Sequence, residues 1–313
     1  MNTSVHAAAA FKQRDAGSYD TVSDSFAHFT TRFSQPIALR MAELAALNTF
    51  TRVLDVGTGT GIVALAAASR LGAKGHVNAI DLSAGMLATA ERLASNDPAG
   101  TRITFQSMDA EALEFSDNTF DVVLSLFALL HFPNPLSALR EMRRVLKPGH
   151  ALVLALGSGP SMTTVTGWMH AVQMLPTLVR RRLGQELAAP AFLDAMVEKY
   201  LPRSHADEQS ALAGHGHGRL DPVQELARQA GFCDISTDWV GYHHQIATAE
   251  EFWELQRTFS SLARKRINEA PQSKVDEMQE AFINTCQRVL AGGGKLVYPV
   301  GVVILRARKP DNK

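Results

Sequence analysis

A glycine-rich turn near residue 57 is the first part of the chain whose residue types could do chemistry. Asp55 opens this turn, and glycine then occupies every second position. The glycines are Gly57, Gly59 and Gly61. An apolar run at residues 52–54 precedes the turn, and an apolar run with helical spacing follows at residues 62–71. This order predicts a strand, a turn that lets a ligand approach the backbone, and a helix N-terminus beside that ligand.

The spacing of the glycines separates two kinds of ligand. A dinucleotide-binding fingerprint has glycines at its first, third and sixth positions. The sixth position here is Ile62, which disfavours an NAD-dependent oxidoreductase without excluding it. A glycine turn with no ligand at all is the structural alternative.

A second acid follows the next apolar run. Residues 75–80 predict a second strand, and Asp81 lies 26 residues (81 − 55) after Asp55, which suits one strand–helix–strand unit. A carboxylate at this strand end can accept hydrogen bonds from both hydroxyls of a ribose. The alternative is that Asp81 only caps the next helix, a role that Ser83 could fill equally well.

These features resemble the first motifs of class I S-adenosylmethionine (SAM) dependent methyltransferases. The resemblance implies that the turn carries the methionine end of SAM, with Asp55 beneath it, that Asp81 binds ribose, and that later residues enclose adenine and face the methyl group. The implied cofactor-binding residues are Asp55, Gly57, Thr58, Gly59, Gly61, Asp81, Leu82, Met86, Asp109, Ala110, Ser125 and Phe127.

Methyl transfer relies on alignment of the reactants in a dry site, so no catalytic triad is required. If a base is needed, His131 is the first candidate, because it follows the predicted fourth strand and histidine titrates near neutral pH. A packing histidine is the alternative. Tyr19 is a second catalytic candidate through the resemblance, which implies an N-terminal tyrosine over the SAM site.

The end of the predicted fourth strand restricts the methyl acceptor. Methyltransferases that act on exocyclic amines of nucleobases carry Asn/Asp-Pro-Pro-aromatic there, whereas residues 125–128 are Ser-Leu-Phe-Ala. Asn134 and Pro135 come later and predict an N-cap and the first residue of a helix. The acceptor is therefore expected to be a small molecule with an oxygen, carbon or simple amine nucleophile.

Strands alternate with helices from residue 52 to residue 156, which predicts a parallel, doubly wound α/β sheet. Later strands are predicted at residues 232–240 and 296–307. Residues 306–310 are Arg-Ala-Arg-Lys-Pro, and they resemble the chain end of methyltransferases of the ubiquinone/menaquinone-biosynthesis type. The resemblance covers the chain broadly and is specific between about residues 50 and 156. That resemblance implies a Rossmann-like methyltransferase fold with seven mostly parallel strands, the last one antiparallel. The segments extra to this core have helical spacing, and we expect them to form a lid.

Four segments follow from this pattern. Residues 1–48 form an N-terminal helical segment or lid, residues 49–156 the SAM-binding core, and residues 157–220 a helical insertion that covers the acceptor. Residues 221–313 complete the core and contain a second insertion at 246–294, with helical spacing at 250–268. Both insertions could instead thicken the core or build a dimer contact.

The overall composition narrows the choice of partners. Lys+Arg and Asp+Glu both number 31, so no global charge favours nucleic acid, and the cluster at residues 180–182 is read as a solvated face. Two cysteines without close spacing indicate reduced thiols and a cytoplasmic protein. No apolar run approaches the length of a membrane span. The histidines at positions 205, 215 and 217 lie in a glycine-rich stretch and predict a solvated loop, with no metal site.

The sequence thus predicts a SAM-dependent methyltransferase of a small, fairly apolar metabolite, of quinone or secondary-metabolite type, and allows a homodimer. A cyclase or decarboxylase on the same scaffold is the main alternative, because its cofactor motifs would be the same. An NAD-dependent oxidoreductase and a noncatalytic partner-binding subunit are further alternatives.

Overall fold

The computed structural model describes residues 2–49, 51–158, 172, 175–203 and 223–311. The helices of this part are α1 (Asn2–Asp20), α2 (Ser23–Phe33), α3 (Gln35–Leu44), α4 (Ile62–Ala68), α5 (Ala84–Ser95), α6 (Pro135–Val145), α7 (Leu175–Arg182), α8 (Ala191–Tyr200), α9 (Val223–Gln229), α10 (Ala249–Phe259), α11 (Ser261–Glu269) and α12 (Gln272–Ala291). The strands are β1 (Arg52–Val56), β2 (His76–Asp81), β3 (Ile103–Ser107), β4 (Phe120–Leu126), β5 (Leu146–Gly157), β6 (Glu186–Ala188), β7 (Cys233–Ile246) and β8 (Lys295–Arg308).

The chain divides into two compact units. Unit 1 comprises Met1–Gly157, His215–Asp238 and Val303–Lys313, and unit 2 comprises Ser158–Gly214 and Trp239–Val302. Strands β7 and β8 each contribute residues to both units.

The sheet of unit 1 is doubly wound and mostly parallel. Its strands follow the order β3-β2-β1-β4-β5-β8, and β7 pairs with β8. In the parallel register Val56 of β1 pairs with Ile80 of β2, and Asp55 pairs with Leu124 of β4. The carboxyl ends of β1, β2 and β4 therefore meet at one edge, where open α/β sheets bind ligands.

The predicted fold class is confirmed, including the antiparallel last strand. The Gly149 N–H donates to the Lys309 carbonyl and the Ser158 N–H to the Gly301 carbonyl, both at 2.9 Å, so β8 runs against β5. One strand was not predicted. The short β6 pairs in parallel with the first residues of β8, which brings the described sheet to eight strands. Three residues are too few to show an alternating pattern in the sequence.

The core of unit 1 explains why these segments become strands and helices. Leu54, Phe120 and Val123 are completely buried, as expected for parallel strands that helices cover on both faces. Helix α6 begins as predicted, because the Asn134 side chain accepts a hydrogen bond from the Ser137 N–H and Pro135 is the first helical residue. The sequence also predicts a helix cap at Asp221 and Pro222, before α9, and these two residues lie outside the described part of the chain.

Unit 2 is mainly helical in its described part. Phe282 of α12 packs against aromatic side chains of α8 and α10, with ring centroids 4.9 Å from Phe192 and 5.2 Å from Trp253. The predicted helical stretch 250–268 is divided into α10 and α11. The break occurs at Ser260, whose backbone is extended and whose hydroxyl caps α11 by accepting from the Ala263 N–H. Within the described part of the chain, no helix combines the length and apolarity needed to cross a bilayer.

We expect Gly57→Ala to destabilise unit 1. Gly57 has a φ of +68°, and an added Cβ would lie 2.2 Å from the Ala128 Cβ. The left-handed conformation alone costs a non-glycine residue about 1–2 kcal/mol, and the clash adds to it. The matched change Gly17→Ala, in α1 with no atom within 4 Å of the added Cβ, should stabilise by up to about 1 kcal/mol. Urea unfolding of both variants tests this, and equal midpoints would contradict it.

Candidate functional site

A cleft opens at the carboxyl edge of the sheet in unit 1. It encloses about 830 Å³, its open mouth included. Gly57, Gly59 and Asp81 line it from the sheet edge, and residues of α1 and α2 line it from the N-terminal side. Eight of the residues predicted to bind the cofactor line this cleft. They are Gly57, Gly59, Asp81, Leu82, Met86, Asp109, Ala110 and Phe127.

The glycine turn is fixed to the end of β2. The N–H groups of Gly57 and Thr58 both donate to the Ile80 carbonyl at 2.9 Å. The φ angles of Gly57, Gly59 and Gly61 are +68°, +54° and +83°, a conformation that side chains with a Cβ rarely adopt. The turn therefore presents bare backbone to the cleft, whereas Thr58 and Gly61 do not line it.

Asp55 lies beneath the turn and is completely buried. The Thr58 hydroxyl donates to its Oδ2 at 2.6 Å. Burial raises the pKa of Asp55 to about 7, and the nearby Asp81 carboxylate adds to the rise, while the Thr58 hydroxyl and the Ala64 N–H oppose it. Asp55 thus supports the turn from below and is not part of the cleft wall.

Asp81 is not the cap of the following helix. The Gly59 N–H donates to its Oδ2 at 2.8 Å and the Ser83 N–H to its Oδ1 at 2.9 Å. Ser83 caps α5, because its hydroxyl accepts from the Met86 N–H. Burial raises the pKa of Asp81 although these N–H groups oppose the rise. Asp81 lines the cleft, and a carboxylate there can accept hydrogen bonds from ribose hydroxyls.

The side of the cleft beyond β2 combines apolar and acidic groups. Leu82 is 40% exposed and Met86 is buried, so Leu82 offers the larger free surface to a flat ring. The Asp109 Oδ1 accepts from the Glu111 N–H at 2.9 Å. Its Oδ2 binds the ammonium of Lys12 at 2.7 Å, and Lys12 also binds the Glu111 carboxylate at 2.8 Å. Lys12 was not among the predicted residues.

The end of β4 differs from the prediction at one residue. Ser125 was expected to face the methyl donor, but it is 2% exposed and its hydroxyl donates to the Val56 carbonyl at 2.8 Å. Its side chain therefore ties β4 to β1 inside the sheet and does not line the cleft. Phe127 does line it, with a φ of +59°, and its N–H donates to the Ala155 carbonyl at 2.8 Å. A strained non-glycine residue at this place is typical of functional sites.

The two predicted catalytic residues lie together in the cleft. The Tyr19 hydroxyl is 3.2 Å from the His131 Nε2, and the His131 Nδ1 is 3.0 Å from the Asp15 Oδ2. Asp15 is almost fully buried, whereas the His131 side chain is 34% exposed. Sequence reasoning missed Asp15. Its position four residues before Tyr19 on α1, and so on the same helix face, is the signal that could have found it.

Helix α1 is attached to unit 1 at several points along its length. Besides the Lys12 ion pairs, the Asp20 Oδ1 at its end accepts from the Ser83 hydroxyl at 2.6 Å and the Gly85 N–H at 2.9 Å. These contacts hold the side chains of Asp15 and Tyr19 over the sheet edge.

Metal binding receives no support from this part of the chain. Among the described residues, no group of three or more His, Cys, Asp or Glu side chains could hold an ion. The histidines at 205, 215 and 217 lie outside the described residues.

The fold and the site together define a SAM-dependent methyltransferase. The positive-φ glycines Gly57 and Gly59 and the half-buried Asp81 at the end of β2 line one cleft. This arrangement suits the amino-acid part and the nucleoside of SAM. Residues 53–149 match the family model of the methyltransferase domain, and this range includes the glycine turn, Asp81 and Asp109.

Comparison with known proteins identifies the family. A demethylmenaquinone methyltransferase of Porphyromonas gingivalis is 35% identical over 193 residues, which cover 61% of this chain and 74% of that protein. A ubiquinone/menaquinone biosynthesis C-methyltransferase of Coxiella burnetii is 31% identical over 211 residues, covering 66% of this chain and 80% of that protein. The chain belongs to this ubiquinone/menaquinone-biosynthesis family of methyltransferases.

A solved structure shares the fold. The [4+2]-cyclase SpnF superposes with a TM-score of 0.51 and 23% identity, covering 90% of this chain and 83% of its own. At this identity the similarity concerns the fold alone.

We expect the stability of the free protein to depend on pH through Asp55. Its pKa is about 7 in the folded protein against 3.8 as the reference value, so the folded chain keeps a proton that the unfolded chain releases. The free energy of unfolding must then fall as pH rises from about 4 to about 7, by up to roughly 4 kcal/mol. Asp55→Asn should lack this loss. Urea unfolding across that range tests it, with the exposed Asp117→Asn as control, and parallel profiles for wild type and Asp55→Asn would contradict it.

We expect Lys12→Gln to weaken binding of S-adenosylhomocysteine, the demethylated product. The change leaves two neighbouring carboxylates without their shared cation and releases α1 from that side of the cleft. The dissociation constant should rise roughly threefold to tenfold, less at high salt. Calorimetric titration measures it. Arg14→Gln, on the exposed side of the same helix, is the control, and equal losses in both variants would show that the Lys12 contact is irrelevant.

Proposed function

We propose that this enzyme methylates a ring carbon of a small, fairly apolar hydroquinone-type metabolite. One observation carries the proposal: Asp15, His131 and Tyr19 form a hydrogen-bonded chain inside the cofactor cleft. The names of the relatives, which act on demethylmenaquinone or in ubiquinone and menaquinone biosynthesis, support the substrate class.

When bound, SAM supplies an electrophilic methyl group on a sulfonium ion. A hydroquinone ring carbon becomes nucleophilic when the adjacent hydroxyl loses its proton. His131 Nε2 accepts that proton, and the Asp15 carboxylate at Nδ1 stabilises the imidazolium that results. One proton is released in the complete reaction, since the ring hydrogen replaced by methyl leaves as the ring regains its aromaticity and the oxygen is reprotonated.

Tyr19 has a positioning role in this proposal. Its hydroxyl at 3.2 Å holds the His131 Nε2 toward the cleft, and its ring meets the imidazole edge-on with centroids 5.5 Å apart. The acceptor hydroxyl must take the place of the tyrosine hydroxyl, or share Nε2 with it, before proton transfer. Phe127, Phe132 and Leu126 line the same part of the cleft and give an aromatic acceptor an apolar surface.

In this proposal the bare backbone of Gly57 and Gly59 binds the amino-acid part of SAM, and Asp55 and Thr58 support the turn from beneath. Asp81 binds the ribose hydroxyls. Leu82, Met86, Asp109 and Ala110 enclose the adenine. Ser125 is left out of the site, because its hydroxyl is committed to the Val56 carbonyl.

Some expectations rest on the sequence alone. We propose that residues 157–220 supply the acceptor lid and that residues 1–48 roof the cofactor. We also propose a cytoplasmic enzyme that does not use nucleic acid as a substrate, and allow a homodimer. Limited proteolysis with and without S-adenosylhomocysteine tests the lid, and sedimentation velocity tests the dimer.

We expect His131→Gln to lower kcat about a hundredfold with a demethylmenaquinol analogue, because a general base contributes about that much. Asp15→Asn should lower kcat less, since it removes only the stabilisation of the imidazolium. The affinity for S-adenosylhomocysteine should stay the same in both variants. The exposed His28→Gln on α2 is the control.

A near-normal kcat for His131→Gln would remove the base and leave alignment of the reactants as the mechanism. Loss of cofactor affinity in parallel with kcat would show that the chain Asp15–His131–Tyr19 only supports the fold. Absence of methyl transfer to any hydroquinone, with normal cofactor binding, would contradict the substrate class.

A further inference from the structure

An exposed segment of unit 2 places apolar and basic side chains next to each other. The described residues contain seven exposed large apolar side chains, and three of them lie within six residues on α7 and the turn that follows. Leu178, Val179 and Leu183 are 50%, 57% and 65% exposed. The Leu183 N–H donates to the Val179 carbonyl at 3.0 Å, so the helical turn continues to Leu183. Val179 and Leu183 are four residues apart and lie on one face of this helical turn, while Leu178 and Arg182, also four residues apart, lie on the adjoining exposed face. We call this mixed apolar and basic surface the patch.

Arginines contribute to this patch. Arg180 and Arg182 are exposed, whereas Arg181 binds the buried Glu186 carboxylate at 3.0 Å. The sequence contains no Asp or Glu from residue 142 to residue 185. Arg181 thus anchors the segment to β6, while Arg180 and Arg182 add positive charge to the patch.

We propose that α7 with Leu183 binds the surface of an anionic lipid bilayer. Exposed leucine and valine side chains can enter the boundary between headgroups and acyl chains, while arginines reach the lipid phosphates with their long side chains. Clusters of basic residues on a short amphipathic helix are attracted to anionic lipid surfaces. A helix of eight residues is about 12 Å long, so it lies on the bilayer and does not cross it.

Two other occupants fit the patch less well. Nucleic acid would use the arginines but would leave the apolar side chains without a role. A second copy packed about a two-fold axis would bring the arginine clusters of both copies together, which disfavours that contact. A lipid surface uses both kinds of side chain at once.

Binding of α7 to lipid requires no methyl acceptor and no turnover, so it can be tested separately from the proposed methyl transfer. An enzyme held at a bilayer surface meets apolar acceptors where they dissolve.

The experiment is co-sedimentation of the full chain with vesicles of phosphatidylcholine, either pure or mixed with phosphatidylglycerol, in the absence of any acceptor. Wild type should bind the mixed vesicles and bind pure phosphatidylcholine far less. Leu178→Ser with Val179→Ser, and separately Arg180→Gln with Arg182→Gln, should each lower binding about tenfold. The control is Leu39→Ser with Arg40→Gln on α3, where the leucine is exposed and the arginine faces Glu43.

Unchanged titration with S-adenosylhomocysteine and unchanged thermal unfolding show that each variant is folded. No binding by wild type to mixed vesicles, or full binding by both double variants, would overturn the proposal. The proposal would also be overturned if the protein bound an oligonucleotide more strongly than the mixed vesicles, and if that binding required the arginines but not Leu178 and Val179. Concentration-dependent self-association that disappears in Leu178→Ser with Val179→Ser would assign the patch to a second copy instead.

Discussion

The close approach of the glycine turn to the segment after β4 determines where every other part of the site can lie. Only a residue without a Cβ fits at Gly57, because that atom would lie 2.2 Å from the Ala128 Cβ. The contact brings Phe127 and the 3₁₀ turn Leu129–His131 beside the turn. His131 therefore faces the cleft because a glycine, and not a larger residue, directly follows β1. The same backbone that forms the cofactor cradle also places the candidate base.

The two acids at this edge, Asp55 and Asp81, differ in burial and in the groups that act on their pKa. Asp55 is enclosed beneath the turn, and its pKa of about 7 means that the turn is built over a carboxyl group that is readily neutral. Asp81 stays partly open to the cleft, and the backbone N–H groups of Gly59, Leu82 and Ser83 favour its ionised form. One acid can thus support the turn without a large desolvation cost, and the other remains available to a polar ligand. The division follows from burial, since both residues are aspartates with similar positions at strand ends.

The sequence predicts the features that depend on local spacing. The turn between β1 and α4, the acid at the end of β2 and the cap at Asn134 are all visible because each involves residues close in the chain. Ser125 shows where this fails, since a serine at a strand end could face either the cleft or the neighbouring strand. The hydrogen bond to the Val56 carbonyl, 69 residues away, decides it. Strand β6 depends on pairing with β8, more than 100 residues later, and its three residues carry no periodicity.

The same reasoning applies to Lys12 and Asp15, which the sequence presents as ordinary polar residues of an N-terminal helix. Their partners, Asp109 and His131, are about 100 residues distant. No rule of composition connects them. The resemblance led to Tyr19, and the helical period then points from Tyr19 to Asp15, but only after the helix is known to cover the cleft.

Helix α1 is attached to unit 1 by different contacts from those that attach α3. In α3, the buried side chains are apolar, with Ala38 and Met41 fully enclosed. Among the described side chains of α1, the buried ones are polar, namely Asp15 and Ser18, and ion pairs and hydrogen bonds join α1 to the segments after β3 and β4. Such contacts can be exchanged for water at modest cost, whereas an apolar face cannot. Helix α1, which places Asp15 and Tyr19 beside His131, is therefore held to the sheet edge mainly by polar contacts.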